Sequence, residues 1–118
     1  MAFVISDFYA RGYERALALA GAKHDVIPVV LVDPRDETLP DVGLATFEDW
    51  ETGEAVVVDT GDKRVRQHYE KTTRRIRAER STLFKKLALD ECVVRTDRSF
   101  VEPLRQLFAR RAQRIRSR

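Results

Sequence analysis

Three carboxylates follow apolar runs that read as strands. Asp7 follows Ala2 to Ser6, Asp33 follows Val26 to Val32, and Asp97 lies just past Cys92 to Val94. Open α/β sheets keep their ligands outside the carboxyl ends of the strands. With the hydroxyls of Ser6, Thr96 and Ser99 nearby, these oxygens suit Mg²⁺, Ca²⁺ or Mn²⁺ rather than zinc. One reading is a metal-dependent phosphoesterase, which needs all three carboxylates gathered around one ion. The other is ordinary turn chemistry, because Asp after a strand makes Asx turns and caps helices. His24 and His68 have no evident catalytic partner, and no serine or cysteine sits in a nucleophile elbow. The five glycines are scattered, so there is no phosphate loop.

A second group is basic. Arg74, Arg75, Arg77 and Arg80 crowd one stretch, and Arg110, Arg111 and Arg114 belong to an arginine-rich C-terminal tail, 110–118. The net charge of +3 hides this asymmetry. Residues 33–62 carry ten acidic groups against one basic, and residues 63–118 carry eighteen basic against six acidic. Such a surface can take nucleic acid or an acidic partner, or it can be a solvated helix face. Nucleic-acid binding predicts steep salt dependence. No aromatics are interleaved with these arginines to stack bases, which argues against a single-strand reader.

The elements that position these groups follow from periodicity. Ala2 to Ser6 and Val26 to Val32 are continuous apolar runs, as in strands of a parallel sheet covered on both faces. Pro28 cannot donate to the ladder, so one side of its strand is expected to be unpaired or bulged near its start. Tyr13 to Ala22 reads as a helix ended by Gly21 and the His24-Asp25 pair. Asp33 to Pro40 reads as a loop. Val42 to Phe47 and Ala55 to Asp59 read as a β-hairpin, with Gly53 at positive φ and Trp50 a packing residue at the tip. Asp62 is the expected N-cap of a helix over about 63–87, with Val65, Tyr69, Thr72, Ile76, Leu83 and Leu87 as its apolar stripe. Cys92 to Val94 is a third strand. Ser99 to Glu102 is a capping box, opening a last helix with Val101, Leu104, Phe108 and Ile115 as its stripe and frayed from Arg110.

The order β-α-β-hairpin-α-β-α implies a parallel sheet with crossover helices. The length of 118 residues allows one domain. The single cysteine, Cys92, excludes an internal disulfide framework and reads as a small buried hydrophobe. The longest apolar run falls far short of a membrane span, and no signal peptide is recognisable, so the expected location is the cytoplasm.

The run Phe3-Val4-Ile5-Ser6-Asp7-Phe8 resembles the fourth-strand motif of von Willebrand factor type A domains, in which apolar residues precede Ser/Thr-Asp-Gly. Tyr13 to Leu17, His24 to Ile27, Val32 to Glu37, Leu39 to Leu44, Glu51 to Glu54, and Thr96-Asp97 with Phe100 to Leu104 then resemble the C-terminal half of one bacterial branch. That branch is the domain-of-unknown-function family numbered fifty-eight. The resemblance implies a three-layer, Rossmann-like α/β domain of six strands, of which this chain holds the last three in a partial parallel sheet with an inserted hairpin at about 42–59. Residues 1–109 would form that partial domain and residues 110–118 a basic tail.

The resemblance also implies a metal-ion-dependent adhesion site, of which only Asp7 is present, with Phe8 where glycine is usual. One carboxylate cannot satisfy the six or so ligands of such an ion, so no cofactor is expected; Mg²⁺ would need the missing half. Proteins of this kind are often encoded beside MoxR-type ATPases, which implies a non-enzymatic, protein-binding role in assembling other proteins. An uncovered first strand would further favour a homodimer, through that sheet edge or the long helix.

Overall fold

The computed structural model describes residues 1–9, 12–48 and 52–116. The elements run β1 (Ala2–Ser6), α1 (Glu14–Lys23), β2 (Val26–Val32), α2 (Pro34–Glu37), β3 (Leu44–Glu48), β4 (Ala55–Asp59), α3 (Lys63–Lys86), β5 (Cys92–Arg95) and α4 (Val101–Arg116). They form two compact units, residues 1–34 with 79–118, and residues 35–78.

The first unit is built on a parallel sheet of order β1-β2-β5. Val26 to Val32 is the central strand, as its unbroken apolar run requires. Its residues alternate between two cores. Val26, Val30 and Val32 pack with Leu17 of α1, Phe84 of α3 and Phe8. Ile27 and Val29 pack with Cys92, Val94 and Leu107 of α4. The unit therefore has three layers, with α1 and the end of α3 on one face and α4 on the other. Pro28 fits because β5 pairs with β2 only from Val29 onward, so one side of the strand is open where the proline lies.

Two local expectations are corrected here. Gly21 does not end α1, which runs on to Lys23; its lack of a side chain instead admits Leu89, whose Cδ2 would lie 3.1 Å from a β-carbon there. α4 does not fray from Arg110 but continues to Arg116, and its buried residue is Leu107 rather than the predicted stripe. Of that stripe, Leu104 packs on the sheet, while Val101, Phe108 and Ile115 are exposed. The stripe is wider than the β2–β5 surface beneath it.

α3 likewise buries Arg80 and Phe84, whereas Ile76 of its predicted stripe is exposed. The helix closes with Ala88 at φ 55 and the Leu89 N–H donating to the Phe84 carbonyl at 2.9 Å, a left-handed cap that usually takes glycine.

The second unit holds the antiparallel pair β3–β4. Its first strand starts at Leu44, two residues later than the apolar pattern suggested. The Val42 N–H is taken by the Thr60 hydroxyl at 3.0 Å, and Gly43 at φ 74 breaks the extended backbone. Fully buried Thr60 also donates its hydroxyl to the Gly43 carbonyl and accepts Arg66 Nη1 on its own carbonyl at 2.8 Å. Gly53 has the expected positive φ of 74, and Trp50 lies outside the described residues. Asp62 caps α3 as expected, accepting the Arg64 N–H at 2.9 Å. The loop expected from Asp33 contains the short helix α2, begun by Pro34 with its preset φ.

Candidate functional site

The carboxyl edge of the parallel sheet gathers the predicted oxygen-bearing residues. β1 ends with Ser6 opposite Val30, and β5 ends with Arg95 opposite Val32. The Thr96 N–H extends the ladder to the Val32 carbonyl at 2.9 Å, which sets Asp33 and Thr96 at one level. Ser6, opposite Val30, leaves the same edge three positions before Asp33, with Asp7 following it.

Two of the carboxylates, Asp7 and Asp97, are used locally. Asp7 Oδ1 accepts the Tyr9 N–H at 3.1 Å, and Ser6 Oγ accepts the Phe8 N–H at 3.0 Å. Asp97 faces Arg95 through two contacts, Oδ1 to Nε at 3.2 Å and Oδ2 to Nη2 at 3.3 Å. That hydrogen-bonded guanidinium holds the Asp97 carboxyl below its usual range. β2 stands between β1 and β5, and adjacent strands lie about 4.8 Å apart, so Asp7 and Asp97 start roughly 10 Å from each other. Among the described residues no three His, Cys, Asp or Glu side chains group so as to hold a metal ion. The three-carboxylate centre is therefore not formed, and Asp7 alone does not fit a divalent ion.

Phe8 shapes the turn that leaves β1 at this edge. Its φ of 57 is left-handed, which costs a side-chain-bearing residue about 1–2 kcal/mol. Its ring is buried and meets both Tyr13 and Phe84 edge-on at 5.3 Å. Burying a phenylalanine stabilises by about 1.5–3 kcal/mol, enough to offset the strain. Burial also raises the Tyr13 phenol above its usual range, helped by Glu14 and opposed by Arg80.

The predicted basic surface is largely committed within the chain. Arg77 pairs with Glu37 at 2.8 Å. Arg111 pairs with Asp25 and with Asp90 at 3.3 Å, and Arg114 with Asp90 at 2.6 Å. Arg74, Arg75 and Arg110 are exposed. Arg80 is not on the surface at all: it is 7% exposed, and its Nη1 approaches the Asp7 carbonyl at 3.5 Å. Sequence patterning missed this because an arginine amid arginines on a polar helix carries no signal of burial. The Ser81–Glu91 hydrogen bonds, at 3.1 and 3.2 Å, were also missed, because they form across the turn between α3 and β5 rather than within one element. A cleft of about 460 Å³ between the end of β5 and the start of α4, lined in part by Arg95, Arg98, Ser99 and Glu102, was also not foreseen.

The strongest asymmetry lies beside this edge. Among the described residues β1 pairs with β2 on one side only, and it is exposed on both faces, with Phe3 at 45%, Val4 at 37% and Ile5 at 64%. Phe3 meets Phe108 of α4 edge-on at 6.5 Å, joining the uncovered strand to the uncovered flank of the helix.

Comparison with known proteins places this arrangement. Residues 1–79, from β1 well into α3, match the family described as Protein of unknown function DUF58. The chain belongs to that family. The uncharacterized protein MAV169 of Mycobacterium avium is 32% identical over 102 residues, covering 86% of this chain and 60% of its own. The uncharacterized proteins Rv1480 of Mycobacterium tuberculosis (strain ATCC 25618 / H37Rv) and Mb1516 of Mycobacterium bovis are each 30% identical over 112 residues, covering 94% of this chain and 35% of theirs. The DUF58 chain thus spans between about a third and three fifths of these relatives. No solved structure matches it. Among the described residues no helix is long and apolar enough to cross a membrane.

Proposed function

We propose that this DUF58 chain is a non-enzymatic protein–protein interaction module whose contact surface is the free edge of β1 together with the adjoining flank of α4. The observation that carries this reading is the exposure of Phe3, Val4 and Ile5 on a strand with a partner on one side only. An unpaired row of backbone donors and acceptors flanked by apolar side chains is a template for another strand. Val101 and Phe108 extend the apolar surface beyond the strand.

In this reading the chain is the last three strands of a von Willebrand type A-like, Rossmann-like sheet and works in the cytoplasm. The partner surface is a protein, with a MoxR-type ATPase the candidate from the family resemblance. In isolation two copies pair by a two-fold axis along β1, because a two-fold contact uses the same patch twice. The carboxyl edge is consistent with binding without metal, since Asp7 is spent on its own turn.

Cross-linking separates this reading from nucleic-acid binding. A cysteine placed at Ile5 should give a symmetric disulfide-linked pair under oxidation, whereas a cysteine at exposed Lys71 should not. Pairing at neither position, with tight binding to DNA or RNA that weakens steeply with salt, would move the basic surface to the front.

A further inference from the structure

Arg80 is the one buried charged side chain among the described residues. It sits one helical turn before Phe84, under the turn that leaves β1. Its Nη1 has only the Asp7 carbonyl, at the long limit of a hydrogen bond. Nε and Nη2, the two nitrogens along one side of the guanidinium fork, are shut off from solvent and have no hydrogen-bond partner. A buried cation without a counter-charge is costly. The nearby carboxylates do not supply one. Asp7 turns its carboxylate to the Tyr9 N–H, and both oxygens of Glu91 accept the Ser81 hydroxyl.

We propose that Arg80 is an anion receptor at the carboxyl edge of the sheet, whose buried and unpaired Nε–Nη2 side takes a carboxylate from outside the chain. The fork matches a carboxylate in shape, through two parallel N–H···O bonds, while Nη1 keeps the Asp7 carbonyl. A fixed guanidinium against the Asp7 turn also repels a divalent cation, so this edge is built to receive negative charge directly rather than through a metal. Because both nitrogens are closed to solvent, the carboxylate enters as the side chains around them give way. The site is distinct from the free β1 edge, and it stands or falls separately from the interaction reading.

The test follows the Nε–H resonance of Arg80 in ¹⁵N-labelled chain, identified by its loss in Arg80→Lys. Sodium acetate is titrated against sodium chloride at equal ionic strength, with inorganic phosphate as a second anion. The expected result is a saturable shift with acetate, none with chloride, and a rise in thermal midpoint that is lost in Arg80→Met. Without acetate, Arg80→Met should melt no lower than the parent, since it replaces an unpaired buried charge with an apolar chain of similar length. If Arg80→Met does not fold, the resonance of the parent protein decides alone. A glutamate-rich peptide binding about tenfold tighter than acetate would assign the carboxylate to a partner protein, and equal affinity would assign it to a small molecule. An unmoved resonance, an acetate response retained in Arg80→Met, or phosphate binding tighter than acetate would overturn the proposal.

Discussion

β1 and β2 are neighbours in one sheet and are made of the same kinds of residue, yet β2 is almost wholly buried and β1 is largely exposed. Phe3 and Ile27 face each other across the ladder, one 45% exposed and the other closed to solvent. The difference lies in what surrounds them. β2 has a strand on each side and helices over both faces, whereas among the described residues β1 has one strand neighbour, and its Phe3 meets the margin of α4. Apolar content fits a strand for burial, but neighbours decide whether the burial happens. The contact surface proposed above rests on this contrast between the two strands.

The same substitution should break the two strands differently. Ile27→Ala removes a fully buried side chain and should cost about 4 kcal/mol, read from chemical denaturation. Phe8→Ala should cost about 3 kcal/mol, because the ring is lost while the left-handed φ remains. Phe3→Ala, which removes the edge contact with Phe108, should cost about 1 kcal/mol. Ile5→Ala should change the stability of the isolated monomer by less than about 0.5 kcal/mol and yet weaken self-association. An Ile5→Ala cost equal to that of Ile27→Ala would erase the contrast between the strands.

A smaller effect concerns α3. The backbone and side chain of Arg64 hold the Asp62 carboxyl below its ordinary value of 3.8. A depressed carboxyl contributes stability that is present above 3.8 and is lost as pH falls through the lower folded value. Asp62→Ala should therefore lower the thermal midpoint slightly at neutral pH, and the gap from the parent should close on acidification.

Much of the scaffold was legible from local pattern. The bounds of β2, the Asp62 cap and the positive φ of Gly53 each follow from chemistry that one segment carries by itself. What was not legible depended on neighbours from elsewhere in the chain. The stripe of α4 is present in the sequence, but β2 and β5 turn the helix so that Leu107 is buried and Phe108 is not. Arg80 was read as surface because its contact with Asp7 comes from more than seventy residues earlier. Asp7, Asp33 and Asp97 do reach one edge, as strand order suggested. Their side chains fail to converge because β2 separates the outer two and Arg95 claims Asp97.

The most direct test of the open-edge account is light scattering coupled to size-exclusion chromatography, with and without magnesium. The account predicts a dimer whose mass is unchanged by magnesium and which dissociates when Ile5 is replaced by lysine. A chain that stays monomeric at every concentration would contradict it.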